Sequence, residues 1–479
     1  MTPPPLTEAT LIPGLADTKQ FLRSCDRKSY WKFGAMEVYK LQRGFLFLTW
    51  FILGCGLIYL AVTVDVFSKF RIIGISGEEN KPSAKPSFKR AAPENSSSVP
   101  LRGPGDSKLP FQNKVAAQLQ DPPKDIYVER PVTKESIDPK LKKILFWNEM
   151  VVEEGRARHF DIGFGQTPFI LGKCPVNTCF TTSNRGLFKH DEIDALIWHY
   201  RSVDRSLPKV RSPHTRWVFW LIETPSYLFG DLRHYHGLFN WTFTYVLNSD
   251  FPYPFDVMYR SREPLPVANY QNTTAGKTKL AAWFVSNCNA ASKRQQFVKE
   301  LQKFMPVDVY GPCGTLKCDC GGECALKQPD YCYEMLQRDY KFYMAFENSL
   351  CKDYVTEKLF NTLRFNVVPV VYGLANYSAV APPHSYINAL DFGSAKELAE
   401  FLLKLDKDDK AYNEYFRWKQ YHHFTSKWVR ALTPWCELCE RLHADNETKT
   451  SDLYKWFVED SQCQYSFEAA RKFRVEQKT

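Results

Sequence analysis

The sequence lacks several features that define common classes of protein. It has no long block of lysines and arginines, and its 63 Lys and Arg exceed its 53 Asp and Glu only mildly, giving a formal charge of +10 over 479 residues. A nucleic-acid partner is therefore not expected, although the charge suits a small anionic ligand. The chain also lacks the low hydrophobicity of disordered proteins, since 44% of its residues are hydrophobic. Its length predicts a globular protein of roughly two or three domains.

Long apolar runs are also rare, and the sequence contains one, at 44–64. As a helix, a run of this length would extend about 30 Å, which is the thickness of the hydrocarbon core of a bilayer. Cations are more frequent on its N-terminal side, so the positive-inside rule predicts that the N-terminus is cytosolic. We therefore expect a single-pass type II protein with a cytoplasmic tail at 1–43 and a transmembrane signal-anchor at 44–64.

Residues 65–142 are rich in proline, serine, lysine and glycine, which is typical of a flexible, extended stem. Among the 14 cysteines, only Cys25 and Cys55 precede the stem, so an oxidising compartment would allow the others to form disulfides. The chain beyond the apolar run also contains Asn-x-Ser/Thr sequons, which are candidate glycosylation sites in a lumenal protein. They are Asn95, Asn240, Asn272, Asn376 and Asn446.

Strand and helix patterns alternate in the C-terminal half of the chain. Residues 341–346 predict a buried strand, and 354–364 carry apolar residues at nearly helical spacing, with Asp353 as the expected N-cap. Residues 367–372 predict the next strand, in which Pro369 favours an edge or a strand end. Such strand–helix–strand units predict a parallel sheet with ligands at the carboxyl ends of its strands.

The beginning of this predicted helix is a candidate ligand site. Tyr354, Glu357 and Lys358 are spaced to share one face of the helix. The unpaired N–H groups of a helix N-terminus, together with a lysine, suit a phosphate, and Glu357 suits a sugar hydroxyl. From the spacing alone, a solvated Glu–Lys pair without a function is the more common arrangement.

The run at 346–373, FENSLCKDYVTEKLFNTLRFNVVPVVYG, closely resembles the signature of the α1,3-fucosyltransferases. The resemblance extends from about Lys143 to the C-terminal tail, and the segments AAWFVSNC and VDVYGPCG are most similar to invertebrate members that fucosylate the core GlcNAc of N-glycans. It implies an α/β fold with two facing Rossmann-like domains, the GT-B arrangement, behind the membrane helix and the stem. The implied parts are an acceptor-side domain at 143–276, a GDP-fucose-binding domain at 277–435 and a Cys-containing tail at 436–479 that packs on the first domain.

The resemblance also implies roles for individual residues. Glu223 follows the apolar strand pattern at 217–222 and matches the family's glutamate that faces the acceptor hydroxyl, so it would be the catalytic base. Desolvation at the end of such a strand would raise the pKa of Glu223, which assists a base. Without the resemblance, a glutamate that caps the next turn would be the simpler interpretation. The implied donor-binding residues are Tyr245, Ser286, Asn287, Arg294, Tyr343, Asn348, Tyr354, Glu357 and Lys358.

Alternatives stay open at two places. Arg294 matches a pyrophosphate-binding arginine of the family, with the adjacent Lys293 as a substitute and an exposed helix cation without a role as the plain interpretation. Where the family commonly has Tyr-Arg-Arg-Asp-Ser-Asp, residues 245–250 read Tyr-Val-Leu-Asn-Ser-Asp. The loss of two cations near the donor would weaken GDP-fucose binding or change the acceptor. It also keeps a non-catalytic Golgi glycan-binding protein as an alternative.

Cysteines cluster between 313 and 332 and occur again at Cys436 and Cys439. In a cytosolic protein such spacings favour a zinc site, whereas in the lumen they favour disulfides. The resemblance implies that Cys436 and Cys439 pair with cysteines at Cys174 and Cys179, which would tie the C-terminal tail to the first domain. The sequence leaves the pairing within 313–332 open.

A metal-dependent glycosyltransferase would present an Asp-x-Asp motif at the end of a strand. Asp406 and Asp408 form such a motif, but they lie in a lysine-rich polar stretch that predicts a solvated helix end. We therefore expect no obligatory metal or other cofactor. The expected reaction is an inverting transfer of L-fucose from GDP-fucose to O3 of GlcNAc, with the innermost GlcNAc of an N-glycan as acceptor and the Golgi membrane as location. LacNAc or LacdiNAc is the alternative acceptor.

Overall fold

Two separate parallel β-sheets dominate the computed structural model of the protein. The structure describes residues 121–148, 151–153, 156–158, 162–265, 272–318, 329–424, 426–444, 450 and 452–477. Among these residues, no helix is long and apolar enough to span a bilayer. The predicted cytoplasmic tail, the predicted membrane helix and most of the predicted stem lie outside the described residues, as do the sequons at Asn95 and Asn446.

The first sheet contains six parallel strands. In spatial order they are β4 (Cys179–Thr182), β1 (Lys142–Phe146), β5 (Ala195–His199), β6 (Arg216–Leu221), β7 (Trp241–Thr244) and β8 (Phe251–Pro252). Strands β5 and β6 are buried throughout, as expected of parallel strands that are covered on both faces. Their side chains alternate between two hydrophobic clusters, with Ile197 and Val218 on one face and Leu196 and Phe219 on the other.

The second sheet contains five parallel strands. In spatial order they are β11 (Asp308–Tyr310), β10 (Lys279–Phe284), β12 (Tyr340–Phe346), β13 (Val368–Tyr372) and β14 (Ile387–Asn388). The predicted strands at 341–346 and 367–372 thus correspond to β12 and β13. Pro369 pairs with Tyr343 and precedes Val370, where the pairing with β14 begins. It is therefore the second residue of β13, near a strand end, although β13 lies between β12 and β14 and not at the edge of the sheet.

Two short antiparallel pairs complete the strands, β2 (Val151–Glu153) with β3 (Arg156–Arg158) and β9 (Met258–Arg260) with β15 (His422–Phe424). The described α-helices are α1 (Thr167–Leu171), α2 (Arg294–Leu301), α3 (Pro329–Asp339), α4 (Glu357–Leu363), α5 (Ala395–Asp406), α6 (Asp409–Glu414), α7 (Lys427–Ala444) and α8 (Phe467–Glu476). Helices α2 and α5 pack on one face of the second sheet, and α4 packs on the other. The fold is therefore a mixed α/β fold with two parallel sheets.

The expectation that a helix spans 354–364 with Asp353 as its N-cap is wrong. Helix α4 begins only at Glu357, and Thr356 is its N-cap, because the Thr356 side chain accepts a hydrogen bond from the N–H of Lys358. Asp353 instead has a left-handed φ of 60°. Its carboxylate accepts a hydrogen bond from the N–H of Leu247 at 3.3 Å.

The reason for this later start lies outside the helix. The buried carboxylate of Glu347 accepts hydrogen bonds from the N–H of Thr356 at 2.8 Å and from its hydroxyl at 2.8 Å. These bonds fix Thr356 in the extended conformation of an N-cap. Tyr354 therefore precedes the helix, and the expectation that it shares a helical face with Glu357 and Lys358 is wrong as well.

Helix α7 crosses back to the first sheet and packs on it. Trp435 lies in the hydrophobic cluster of that sheet, with its ring centroid 4.6 Å from that of Phe243. Disulfides join Cys174 to Cys436 and Cys179 to Cys439, across sequence separations of 262 and 260 residues, so the four cysteines that the resemblance linked are bonded to one another. Closing a loop of this length stabilises a fold by up to about 5 kcal/mol in the chain-entropy description. The second bond adds less, because the first already closes nearly the same loop.

Three further disulfides are present among the described residues. They join Cys288 to Cys313, Cys318 to Cys332 and Cys351 to Cys463. The first two involve the cysteine-rich segment at 313–332, whose pairing the sequence left open, and they remove three of its cysteines from any zinc site. The third joins the signature run at 346–373 to the C-terminal segment.

Candidate active site

The carboxyl ends of the two sheets meet at a pair of loops. Thr224, which follows β6, and Ser349, which follows β12, are fully buried, and their hydroxyl oxygens are 2.7 Å apart. Tyr227 extends the same contact, since its hydroxyl accepts a hydrogen bond from Nδ2 of Asn287, after β10, at 2.9 Å. Parallel α/β sheets bind ligands beyond the carboxyl ends of their strands. The space between these two sets of strand ends, which we call the crevice, is therefore the expected ligand site.

Glu223 lies in this crevice, immediately before Thr224. It is half-buried, and the hydroxyl of Tyr354 donates a long hydrogen bond of 3.4 Å to its Oε2 atom. Desolvation raises the pKa of the Glu223 carboxyl above 4.5, although the charges of Arg201 and Lys358 act in the opposite direction. A carboxylate with a raised pKa at the end of a buried strand accepts a proton more readily than an exposed one.

Tyr354 brings the two halves of the crevice together. Its side chain is 2% exposed, and its ring packs edge-on against Tyr245 from the first half at a centroid distance of 5.1 Å. Desolvation, followed by the charge of Glu223, raises the pKa of the Tyr354 hydroxyl well above 10. Tyr354 is therefore a permanent hydrogen-bond donor toward Glu223 at neutral pH.

Lys358 presents a buried positive charge at the start of α4. Its Nζ atom donates to Oγ1 of Thr356 at 2.8 Å and to Glu357 at 2.9 Å, and it forms an ion pair of 3.3 Å with Glu347. Desolvation lowers the pKa of Lys358, but the two carboxylates outweigh it and raise the pKa above its ordinary value. The lysine is therefore charged at neutral pH, and its side chain keeps 19% exposure through which a ligand can reach it.

Glu347 is a functional residue that sequence reasoning missed. It follows β12 directly within the signature run, and its side chain is 1% exposed. Burial raises the pKa of its carboxyl, while the charge of Lys358 and the hydrogen bonds from Thr356 lower it. One signal was available, a single acid directly after a buried, mostly apolar strand. Its contacts with Thr356 and Lys358 depend on the return of the chain and were not visible in the sequence.

Arg294 is the first residue of α2 and lies beneath the same strand end. It is 3% exposed, so the interpretation as an exposed helix cation is wrong. Its Nη1 atom donates to the carbonyl of Phe346 at 2.6 Å, while its Nε atom has no hydrogen-bond partner among the described residues. The adjacent Lys293 is exposed and has a left-handed φ of 56°. Arg294 therefore adds a second buried cation close to Glu347.

The remaining predicted donor-binding residues differ in their exposure and in their hydrogen bonds. Ser286 is exposed after β10, and Asn287 uses its Oδ1 atom to accept from the N–H of Asn289 at 3.1 Å. The Oδ1 atom of Asn348 is buried and has no hydrogen-bond partner among the described residues. Tyr343 is 2% exposed and belongs to the hydrophobic core beside the sheet. Glu357 and Arg294 are among the charges that act on its hydroxyl, so its place in the donor site stays a prediction.

The segment at 245–250 forms a tight turn at the end of β7. The hydroxyl of Ser249 lies 2.7 Å from that of Thr244, and the carboxylate of Asp250 accepts from the N–H of Thr242 at 2.9 Å and from Arg441 at 3.1 Å. These contacts explain why serine and aspartate occur at these two positions. Residues 246 and 247 are a buried valine and an exposed leucine, so neither supplies a cation.

The Asp-x-Asp motif at Asp406 and Asp408 lies at the end of a helix. Asp408 caps α6 by accepting from the N–H of Ala411 at 3.0 Å, and Asp406 pairs with Lys341 at 3.1 Å, as expected of a helix end.

Among the sequons, Asn272 and Asn376 are exposed, whereas Asn240 is only 5% exposed. The Oδ1 atom of Asn240 accepts hydrogen bonds from Trp217 and Arg211, which is unfavourable for a glycosylation acceptor.

Among the described residues, one group of possible metal ligands occurs, formed by Cys179, Cys439 and His443. Its two cysteines are joined in a disulfide and therefore have no thiolate to offer. The group lies on α7 and the first sheet, away from Glu223. It does not contribute to the site described above.

Facing strand ends, a half-buried carboxylate and buried cations are features of a transferase that binds an anionic, nucleotide-type donor. Comparison with known proteins identifies the family. The model "Fucosyltransferase, N-terminal" matches residues 139–256, and the model "Glycosyltransferase family 10 (fucosyltransferase) C-term" matches residues 274–456. The chain therefore belongs to glycosyltransferase family 10.

Relatives occur in insects and vertebrates. The chain is 40% identical over 292 residues to alpha-(1,3)-fucosyltransferase C of Drosophila melanogaster, covering 56% of this chain and 66% of that protein. It is 34% identical over 356 residues to glycoprotein 3-alpha-L-fucosyltransferase A of the same organism, covering 73% of this chain and 65% of that protein. The human 4-galactosyl-N-acetylglucosaminide 3-alpha-L-fucosyltransferase FUT6 is 36% identical over 313 residues, covering 61% of this chain and 80% of that protein.

The chain thus spans slightly less than two thirds of the length of the two Drosophila relatives. Among solved structures, an alpha1,3-fucosyltransferase with GDP matches with a TM-score of 0.44 and 18% identity, covering 68% of this chain and 97% of that chain.

Proposed function

We propose that this protein is an α1,3-fucosyltransferase that transfers L-fucose from GDP-fucose to O3 of a GlcNAc residue. The observation that carries the proposal is the hydrogen bond of 3.4 Å between Tyr354 and Glu223, which follows a strand of the first sheet. It lies beside Lys358, which forms an ion pair with Glu347 at the end of a strand of the second sheet. A base and a cation cluster on opposite halves of one crevice suit a reaction between an acceptor hydroxyl and an anionic donor.

In the proposed reaction, Glu223 accepts the proton of the O3 hydroxyl while that oxygen attacks the anomeric carbon of fucose. The bond between this carbon and the GDP oxygen breaks, and its electron pair leaves with the diphosphate. Attack from the face opposite GDP converts the β-linked donor into an α-linked product in one step. Lys358 and Arg294 would stabilise the charge that develops on the diphosphate, so that the reaction needs no metal ion.

We propose the innermost GlcNAc of an N-glycan as the acceptor. Similarity to the Drosophila glycoprotein 3-alpha-L-fucosyltransferase A supports this choice. Similarity to the human 4-galactosyl-N-acetylglucosaminide 3-alpha-L-fucosyltransferase supports the alternative, a LacNAc-type acceptor. A non-catalytic glycan-binding protein is the third candidate, motivated by the turn at 245–250, but Glu223 and Lys358 argue against it.

The proposal extends to architecture and location. Two parallel sheets with facing carboxyl ends support a GT-B arrangement of acceptor-side and donor-side domains. The apolar run at 44–64 and the disulfides support a type II protein of the Golgi membrane with a lumenal catalytic part. Protease protection of sealed microsomes tests the topology: an epitope at the C-terminus should survive protease until detergent is added.

The function is tested with the purified full chain in detergent, GDP-fucose and two acceptors, a paucimannose N-glycopeptide and a LacNAc oligosaccharide. Mass spectrometry should show one added deoxyhexose on the inner GlcNAc of the glycopeptide, both with and without EDTA. The Glu223→Gln variant is the matched control and should transfer no fucose. Transfer to LacNAc alone would select the alternative acceptor, and GDP binding without any transfer would select the non-catalytic candidate.

A further inference from the structure

The C-terminal segment at 452–464 connects a face of the first sheet with the second sheet. Leu453 and Phe457 are fully buried in the hydrophobic cluster on that face, and the ring centroid of Phe457 is 6.0 Å from that of Tyr245. Directly after the segment, α8 packs on the core of the second sheet, where Phe467 stacks on Phe297 at a centroid distance of 4.5 Å. We call residues 452–464 the C-terminal strap.

The C-terminal strap is bonded to the loop between β12 and α4 at three successive residues. The central bond is the disulfide between Cys351 and Cys463, and the buried Cys351 has no exposed surface. A backbone hydrogen bond flanks the disulfide on each side, from the N–H of Gln464 to the carbonyl of Leu350 at 2.7 Å and from the N–H of Lys352 to the carbonyl of Ser461 at 2.9 Å. The strap therefore fixes the backbone of this loop at 350–352.

The same loop carries Tyr354 to Glu223. The N–H of Tyr354 donates to the carbonyl of Cys351 at 3.3 Å, so the disulfide-bonded residue begins the turn that presents the tyrosine. The hydroxyl of Ser226, in the segment that follows Glu223, lies 3.8 Å from the Sγ atom of Cys351. The disulfide thus contacts the segment of the base and belongs to the turn of its hydrogen-bond donor.

The turn at 245–250 provides another anchor for the C-terminal strap. The Nε1 atom of Trp456 donates to Oδ1 of Asn248 at 3.0 Å, and Val246 is buried in the same hydrophobic cluster as Phe457. Asn248 is one of the residues at which this turn departs from the common sequence of the family. In this chain, the altered turn therefore binds the strap.

A purely stabilising bond at the end of the chain is the simpler interpretation of the Cys351–Cys463 disulfide. However, α8 already holds the end of the chain through the stacking of Phe467 and through an ion pair of 2.9 Å between Arg474 and Asp391. The disulfide instead constrains a loop in which Asp353 has a left-handed φ of 60°. A non-glycine residue keeps such a conformation only where neighbouring contacts impose it.

We propose that the C-terminal strap is a positioning element of the active site, which holds the hydroxyl of Tyr354 against the carboxylate of Glu223 through the Cys351–Cys463 disulfide. The inference rests on the proposed fucosyltransfer and deepens it, because it names residues that control the geometry of the base. Cys351 and Cys463 are positioning residues that act through Tyr354 and do not touch a substrate.

The acidic limb of kcat/KM reports on this hydrogen bond. The groups that act on Glu223 are the hydroxyl of Tyr354, the positive charges of Arg201 and Lys358 and the negative charge of Glu357. A hydroxyl that donates to a carboxylate favours its ionised form, so the loss of the bond raises the pKa of Glu223 and moves the limb to higher pH. Because the bond of 3.4 Å is long, we expect a shift of about half a pH unit.

The experiment measures kcat/KM across the acidic range for the purified full chain and three variants. The first combines Cys351→Ser with Cys463→Ser, the second is Tyr354→Phe, and the third carries all three changes. The first two should each move the limb upward by about half a pH unit. The third should move it no further, because the disulfide acts through the hydroxyl that Tyr354→Phe removes, and such non-additivity is the mark of coupled residues.

Two further variants serve as controls. Cys318→Ser combined with Cys332→Ser removes another disulfide, in the segment between β11 and β12, and should leave the limb unchanged. Asn248→Ala removes the anchor of Trp456 at an exposed side chain and keeps every disulfide, so it is expected to fold even if the Cys351 variant does not. It should shift the limb in the same direction and accelerate hydrogen–deuterium exchange of the backbone at 350–356.

Two results would overturn the inference while leaving the proposed function intact. One is an unchanged acidic limb in the Cys351→Ser and Cys463→Ser variant, which would make the disulfide a stabilising bond only. The other is a full additional shift in the variant with all three changes, which would mean that the strap acts by another route. If the wild-type chain transfers no fucose, the proposed function fails, and hydrogen–deuterium exchange at 350–356 decides. Equal exchange with and without the disulfide would then reject the strap as the element that holds this loop.

Discussion

Replacing Glu347 with glutamine should reduce both stability and turnover, because one buried carboxylate fixes the start of α4 and the position of Lys358. The amide oxygen of glutamine still accepts from the N–H of Thr356, which now bonds Glu347 at 2.8 Å. The new NH₂ group cannot accept from the Thr356 hydroxyl, and it would lie near the ammonium of Lys358, which is 3.3 Å from the carboxylate. The substitution therefore removes one charge and at least one charge-assisted bond at an almost unchanged volume.

The magnitude follows from these contacts. Breaking a buried ion pair costs about 3–5 kcal/mol when the remaining charge has no partner. Lys358 keeps Glu357 at 2.9 Å, and the change also removes the cost of burying the Glu347 carboxylate. We therefore expect the free energy of unfolding to fall by about 2 kcal/mol, less than the full value for a broken pair. Because Lys358 then shifts toward Glu357, kcat should fall at least about tenfold.

The assay combines urea unfolding followed by tryptophan fluorescence with initial rates of fucose transfer. The control is Glu400→Gln, an identical chemical change at a side chain that is 64% exposed and only 3.8 Å from its surface partner Lys396. That control should change the free energy of unfolding by less than about 0.5 kcal/mol and leave kcat unaltered. Wild-type stability and wild-type turnover in Glu347→Gln would refute the idea that this carboxylate organises the cation cluster.

Three further outcomes are expected. Lys358→Ala should lower kcat strongly, by about a hundredfold or more, because the diphosphate loses its nearest cation; near-normal turnover would remove Lys358 from the mechanism. The pKa of Glu223 is raised above 4.5 by burial, and this group must be ionised to act as a base, so the acidic limb of kcat/KM should lie above pH 4.5. Arg201→Gln should move that limb to still higher pH, since it removes a charge that lowers the pKa, and a shift to lower pH would contradict the assignment. Changing Cys436 and Cys439 together to serine should lower the melting temperature by several degrees, as measured by circular dichroism. An unchanged melting temperature would contradict a stabilising role of these disulfides and would show that apolar contacts alone hold α7.

Local patterns predicted a large part of the fold. Strands β12 and β13 occur where short apolar runs predicted them, because a strand buried on both faces needs an almost continuous apolar sequence. The apolar run at 217–222 likewise predicted that Glu223 follows a buried strand. The resemblance of the run at 346–373 to the signature of the α1,3-fucosyltransferases indicated the family. The sequence also identified Lys358 as a cation at the start of a helix, although it placed that start three residues too early.

Tertiary contacts decided the details of the site. Asp353 and Thr356 are both acceptable N-caps by local rules, and the carboxylate of Glu347, reached only when the chain folds back, selects Thr356. Packing likewise buried Tyr343 in the hydrophobic cluster beside the second sheet.

The sequence by itself therefore determined the parallel α/β class, the family and the stretches that carry the chemistry, because these depend on local periodicity and on a contiguous signature. Only the tertiary structure decided how Glu223 meets Tyr354, where α4 begins, and which groups surround the ammonium of Lys358. Each of these depends on groups that are far apart along the chain or on loops whose direction no periodic pattern specifies. Burial and charge pairing, which set the chemistry of the site, arise only when those segments come together.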